Sequence, residues 1–281
     1  ERDKNGFRGK KNNLKNINIL TVGGSTTDER FLKIEDSWSK KLEKKFSKID
    51  KNFKIINAGM DGQSTVGHIW NFEQWFNKLE NFKPRYIIFY IGLNEQLRNL
   101  NRSSKYDNEY NLNNYSYLNV IKHYLWQNHG ITYKLYGLVY KRLFKNSDII
   151  HGHKSKNRNF VLVKDEFNLN NIQKKYFINN LNKLTQLTYE LNAIPIFITQ
   201  KTIEWHVKDN LLYSVSGFDQ RGYEQQISEV IIEFCKNNNI KYIDINKNLN
   251  FDKSDTYDLM HTTPVGSEKI ANFIFNNLKN E

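Results

Sequence analysis

The chain has one cysteine, Cys235, three prolines and fourteen glycines in 281 residues. A lone cysteine cannot form an intrachain disulfide, so no disulfide framework holds the fold and sulfur chemistry says little about compartment. So little proline and glycine excludes fibrous and linker-rich architectures. No run of 18 or more apolar residues occurs, so nothing reads as a membrane-spanning helix. Arginine-rich tracts and zinc-knuckle spacings are missing too. What is present is 38% hydrophobic and 14% aromatic residues, enough for one large α/β domain or a core domain with an insertion. The net charge is +12. Such a balance suits nucleic acid, an anionic surface or acidic substrates. The lysines are scattered among Asn, Ile, Tyr and Phe, however, as an AT-rich genome would give. The charge therefore reads as a solvated basic surface, and no nucleic-acid partner is expected.

Residues 1–16 are polar and basic and read as an extended N-terminal arm. Ile17–Val22 is a short β-rich run ended by Gly23-Gly24, a buried strand. Residues 36–47 place Trp38, Leu42 and Phe46 four apart, the spacing of an amphipathic helix. A second strand, Phe53–Asn57, ends in Ala58-Gly59-Met60-Asp61-Gly62. A helix follows over Val66–Leu79, with Ile69, Trp70, Phe72, Phe76 and Leu79 as its apolar residues. Tyr86–Ile91 is the strongest strand, ended by Gly92-Leu93-Asn94-Glu95. Residues 96–170 break the rhythm and read as a partly helical insertion or lid, with tyrosines suited equally to a sugar-stacking wall and to packing. The alternation resumes with a helix at 171–191, a strand Ile194–Thr199, a helix at 219–237, a strand Lys241–Ile245 and a helix Pro264–Leu278 opened by proline. The expected fold is a three-layer α/β/α, flavodoxin-like sandwich. Its central parallel sheet has about five strands, and one domain spans 17–281.

Ser25, Gly62 and Asn94 each follow a predicted strand, so a parallel sheet brings all three to its C-terminal edge. A serine hydroxyl is a weak nucleophile until a base takes its proton. Asp258-Leu-Met-His261 supplies a base with a carboxylate three residues away to orient it. The N–H groups of Ser25 and Gly62 and the Asn94 amide are candidate donors to an oxyanion. Each segment alone has a plainer reading. Ser25 or Thr26 can cap a helix, Gly62 can serve a turn, Asn94 can end a helix, and Asp258 with His261 can be a surface capping pair. Their order after successive strands favours a site.

Taken together, the segments resemble the four blocks of the SGNH (GDSL-type) hydrolase superfamily. Block one is matched by Val22–Thr27, with Gly24 where many members carry Asp, as in a Gly-Gly-Ser-Thr-Thr branch. Block two is matched by Asn57–Gly62. Block three is matched by Gly92–Glu95, with Glu95 departing from the usual Asp. Block five is matched by Asp258–His261 and the following Thr262–Gly266. Asn5-Gly6-Phe7-Arg8-Gly9 resembles a segment ahead of block one in bacterial members, which often carry an N-terminal anchor or signal. The resemblance spans roughly 5–95 and 171–279. It implies acyl transfer through Ser25, His261 and Asp258, with Ser25, Gly62 and Asn94 as the oxyanion hole, and no metal or cofactor. Since the chain starts at Glu1, a signal or membrane anchor ahead of it is expected, with a periplasmic or membrane-anchored extracytoplasmic location.

The expected activity is hydrolysis of carboxylic esters, short-chain or carbohydrate O-acetyl, with a small-molecule or glycan ester as partner. An O-acyltransferase with the same triad and a catalytically silent glycan-binding module are the alternatives. Gly24, Glu95, His68, Gln200, Trp205 and His206 are candidates for substrate contact, against packing roles for each. His151-Gly-His153 lacks a clear carboxylate or cysteine partner, so no metal site is expected.

Overall fold

The computed structural model describes residues 1–10, 12–95 and 159–280. Most of the expected insertion, with His151 and His153, lies outside the described residues.

Five parallel strands form the central sheet: β1 (Ile19–Gly23), β2 (Ile55–Asn57), β3 (Tyr86–Tyr90), β5 (Ile194–Ile198) and β8 (Lys241–Ile243), in the order β2-β1-β3-β5-β8. Along β3 the side chains alternate between faces, as the period of two demands. Ile88 and Tyr90 join Ile19, Ile196 and Ile198 on one face, against Trp38, Leu42 and Phe46 of α2 (Trp38–Phe46) and Ile270, Ala271, Ile274 and Leu278 of α6 (Pro264–Leu278). Phe89 faces the other way. Its ring meets Phe72 of α3 (Thr65–Gln74) and Phe197, which in turn meets Phe234 of α5 (Gln220–Asn237). Between α3 and α5, touching both, lies α4 (Asn171–Glu190), started by a capping box of Asn170 and Gln173. Burying each such Leu, Ile or Phe contributes roughly 1.5–3 kcal/mol, and this fixes three layers.

The strand order has a consequence for function. The chain leaves β1 first toward β2 and later toward β3 on the opposite side, so a crevice opens between the carboxyl ends of β1 and β3. The loops carrying Ser25 and Asn94 flank it.

Three features depart from the sequence expectations. The N-terminal arm is docked, not extended. Phe7 is fully buried among Trp75, Phe76 and Phe82, with ring centroids 4.7, 6.2 and 5.4 Å away, because an apolar ring on a polar arm gains most by joining that aromatic cluster. In the helix expected over Val66–Leu79, Trp70 points outward, and the last turn is a separate 3₁₀ turn at Phe76–Lys78. A second, antiparallel sheet of order β4-β7-β6 joins Val161–Leu162, Leu211–Ser214 and Trp205–Lys208. Its hairpin turns at Asp209 and Asn210, both left-handed (φ 50° and 60°), the backbone of a type I′ turn.

Candidate active site

Ser25 opens a one-turn helix, α1 (Ser25–Asp28), directly after β1. Gly23 and Gly24 are needed there for space. A Cβ at Gly23 would strike Thr27 and the Tyr90 carbonyl, and one at Gly24 would strike the Asn94 amide nitrogen. The backbone turns within two residues, which leaves the Ser25 hydroxyl half-buried at the edge of the sheet.

His261 comes from the far end of the chain. Its Nε2 lies 2.7 Å from Ser25 Oγ, and its Nδ1 lies 2.7 Å from Asp258 Oδ2. A carboxylate only accepts, so Nδ1 carries the proton and Nε2 is left to accept from the serine. Asp258 also builds the turn. Its Oδ1 accepts from the N–H groups of Met260 (3.1 Å) and His261 (2.8 Å), an Asx-type turn that forces Leu259 to φ 76°. A bulky residue in that region is strained, and the surrounding bonds hold it there. Burial pushes the Asp258 carboxyl upward, but the bonds from His261 and Met260 outweigh it and hold the group below the ordinary carboxylate range. The loop is pinched shut by Tyr257 N–H to His261 O (3.0 Å) and Thr263 N–H to Asp255 O (2.8 Å).

Gly62 and Asn94 complete the constellation. Gly62 adopts φ 74°, which favours glycine, and a Cβ there would meet nothing within 4 Å. The glycine therefore serves the turn, and the space before it is open to a substrate. Asn94 Nδ2 donates to Gln63 O at 3.1 Å and sits against Gly24, so the amide lies between the serine turn and the Gly62 loop. The N–H groups of Ser25 and Gly62 donate to no acceptor among the described residues. Two N–H groups without an acceptor among the described residues and one side-chain amide thus lie on the loops beside a hydroxyl with an oriented base. Such an arrangement can form an acyl-serine and stabilise the oxyanion on the way.

Of the residues offered for substrate contact, Gly24 borders the serine and makes room for Asn94. The other five have different surroundings. Glu95 is buried and accepts from Thr65 N–H and Thr65 Oγ1, both at 2.8 Å, so it caps α3; burial pushes its carboxyl up to about 7. The longer side chain, where Asp was usual, reaches the helix end. His68 is buried within α3, and burial pushes its imidazole down to about 3. Gln200 bridges loops, accepting from Leu93 N–H (2.8 Å) and donating to Thr26 Oγ1 (2.7 Å). Trp205 donates to Glu224 at 3.3 Å. His206 lies exposed on the β6–β7 hairpin, its ring against Phe160 and Tyr213. Both aromatic residues lie on strand β6 of the second sheet, which the sequence reading lacked.

The sequence reading missed the clamp that holds these loops. Buried Arg8 donates to the carbonyls of Asp28 (2.8 Å), Glu29 (3.0 Å) and Leu32 (2.6 Å), and its own N–H reaches Asn57 O at 2.9 Å. Arg2 donates to Gly59 O at 2.7 Å and pairs with Asp28 at 3.0 Å. Asn57 Nδ2 donates to Thr27 O at 2.7 Å. Glu29, buried beneath the site, was missed as well. The Phe7-Arg8 segment was the only available signal. Among the described residues no cluster of His, Cys, Asp or Glu could hold a metal ion, and no helix is long and apolar enough to cross a membrane.

No protein-family model matches the chain, and no curated protein matches it in sequence. Solved structures do match in fold. A lipolytic protein of the G-D-S-L family from Veillonella parvula is 15% identical with a TM-score of 0.52, over 94% of this chain and 100% of that one. The psychrotrophic esterase EstA from Pseudoalteromonas sp., in a structure inhibited by monoethylphosphonate, is 14% identical with a TM-score of 0.52, over 94% and 97%. The acetyl xylan esterase AlAXEase is 14% identical with a TM-score of 0.54, over 93% and 100%. The central five-stranded parallel sheet between helical layers is the fold of the SGNH/GDSL hydrolases.

Proposed function

We propose that this protein hydrolyses carboxylic esters through an acyl-enzyme on Ser25. The observation that carries the reading is the unbroken chain of contacts from Ser25 Oγ through the His261 ring to Asp258, 2.7 Å at each step. As Ser25 Oγ attacks the ester carbonyl carbon, Nε2 of His261 takes the hydroxyl proton. Asp258 stabilises the imidazolium. The carbonyl oxygen becomes an oxyanion held by the N–H groups of Ser25 and Gly62 and by the Asn94 amide. The C–O bond to the alcohol breaks, and His261 returns the proton to the leaving oxygen. Water, deprotonated by His261, then attacks the acyl-serine, and the carboxylic acid leaves with Ser25 restored.

The substrates we assign are short-chain esters, including O-acetyl groups on carbohydrate. Support comes from the shared fold with an acetyl xylan esterase and from the open face before Gly62. The test is turnover of p-nitrophenyl esters of rising chain length by wild type, Ser25→Ala and His261→Ala. The reading predicts fastest release from acetate and near-complete loss in both variants. Equal release by wild type and Ser25→Ala would refute it. Acyl loading on Ser25 without turnover would point to transfer to another alcohol.

A further inference from the structure

We propose that Glu29 is a positioning residue that locks the turn carrying Ser25 to the loop carrying His261, a role that rests on reading those two residues as nucleophile and base. Glu29 ends α1 in the left-handed region at φ 43°, where a residue with a long side chain is uncommon. Its N–H donates to the Ser25 carbonyl at 2.8 Å, so its backbone is tied to the nucleophile itself. Its side chain points the other way, into the interior. There Oε1 accepts from Thr262 Oγ1 at 2.6 Å and Ser267 Oγ at 2.5 Å, and Oε2 accepts from Trp38 N–H at 2.7 Å. Thr262 follows His261 directly in the chain. Ser25 and His261, 236 positions apart, are therefore joined by one residue that bonds the first through its backbone and the neighbour of the second through its carboxylate.

Two further contacts stiffen the link. Trp38 also donates its indole N–H to Thr26 O at 3.0 Å, and Arg8 grips the Glu29 carbonyl at 3.0 Å. Neither places a cation on the carboxylate. The carboxylate is hydrogen-bonded by hydroxyls and an amide, with the charge of Arg8 acting on it from beyond bonding distance, an expensive way to fill a core position. An apolar side chain would fill the volume without that cost, but could not hold Thr262. A strained backbone and a buried carboxylate on a residue four positions after the nucleophile are features that the surroundings must actively maintain.

The experiment is steady-state kinetics on p-nitrophenyl acetate for wild type, Glu29→Leu, Glu29→Gln, Thr262→Val and the Glu29→Leu/Thr262→Val double variant, each checked for folding by circular dichroism and thermal melting. A small misplacement of the base costs on the order of 10²-fold in rate. Glu29→Leu should therefore lose about that factor in kcat with KM nearly unchanged, since substrate does not touch Glu29. Glu29→Gln, whose amide still bonds reoriented hydroxyls, should retain more. Thr262→Val should lose less than Glu29→Leu, and the double variant should be no worse than Glu29→Leu alone, because both changes cut one link. A folded Glu29→Leu with wild-type kcat overturns the proposal, and so do losses that multiply in the double variant. If Glu29→Leu does not fold, Thr262→Val decides alone: reduced kcat at unchanged KM supports the link, and wild-type kcat refutes it. An inactive wild type would sink the esterase reading and the role of Glu29 with it, a result distinct from an active wild type with an unimpaired Glu29→Leu.

Discussion

Adding one methyl group at Gly24 should abolish most of the activity without touching the triad. Gly24 has φ −81°, so the left-handed strain that favours glycine does not arise there, although its ψ of −148° lies outside the common α and β regions. The new Cβ would instead collide with the Asn94 amide nitrogen, which has little freedom because it is bonded to Gln63 O at 3.1 Å. The amide must swing aside by on the order of 1 Å and so leaves the position where the oxyanion forms. Losing one such donor costs ~10²–10³ in kcat, about 2.7–4 kcal/mol of transition-state stabilisation. KM should move little, because the oxyanion does not exist in the bound ground state. Steady-state assays on p-nitrophenyl acetate with Gly24→Ala, Asn94→Ala and the pair read this directly. If the methyl acts through Asn94, the double variant falls no further than Asn94→Ala alone. A Gly24→Ala enzyme with wild-type kcat would refute the reasoning, as would single losses that multiply in the double variant.

Further outcomes follow from the clamp and the buried carboxyls. Arg8→Met should lower stability by about 3–5 kcal/mol, since it strands three carbonyls and leaves buried Asp28 with one cation fewer; chemical denaturation measures this, and a loss below about 1 kcal/mol would refute the clamp. Glu95→Ala should lower the melting temperature while leaving KM for small esters unchanged, because Glu95 caps α3 and faces no substrate; a raised KM with unchanged melting would contradict that placement. Glu29, Glu95 and Glu224 are each pushed by burial up to about 7, above their unfolded value. The folded chain then binds more protons than the unfolded chain between the two values, so their contribution is full below the unfolded value and is lost as pH rises through about 7. Thermal melts should accordingly show lower stability at about pH 8 than at about pH 5.5, and flat or rising melting temperatures over that span would contradict it.

The division between what was legible in the sequence and what was not follows contact range. Strands show as β-rich runs and α2 shows in the spacing of Trp38, Leu42 and Phe46, because each needs only local pattern. Ser25, Gly62 and Asn94 were legible because each lies in the loop after a strand, and parallel strands put such loops at one edge. Glu29 was not legible. Its partners Thr262 and Ser267 are 233 and 238 positions away, and no local pattern marks a buried glutamate. Arg8 is hidden in the same way, as a charged residue on a polar arm whose value comes from carbonyls 20 or more residues downstream. The β6–β7 hairpin had a local signal in Asp209-Asn210, but its strands are short and half-exposed, so their alternation is faint. Gln200 and Glu95 were drawn toward the substrate by being near the right strand ends. Position at an edge does not say which way a side chain turns.

The central claim is that Ser25 is a nucleophile activated by His261. Incubating the protein with a p-nitrophenyl alkylphosphonate and mapping the adduct by peptide mass spectrometry tests this most directly, since phosphonylation needs the activated hydroxyl but no particular natural substrate. The account predicts one adduct per chain, on the peptide holding Ser25. It also predicts no adduct in Ser25→Ala and a rate reduced by at least about 10²-fold in His261→Ala. An unlabelled wild type, or equal labelling of Ser25→Ala, would contradict it.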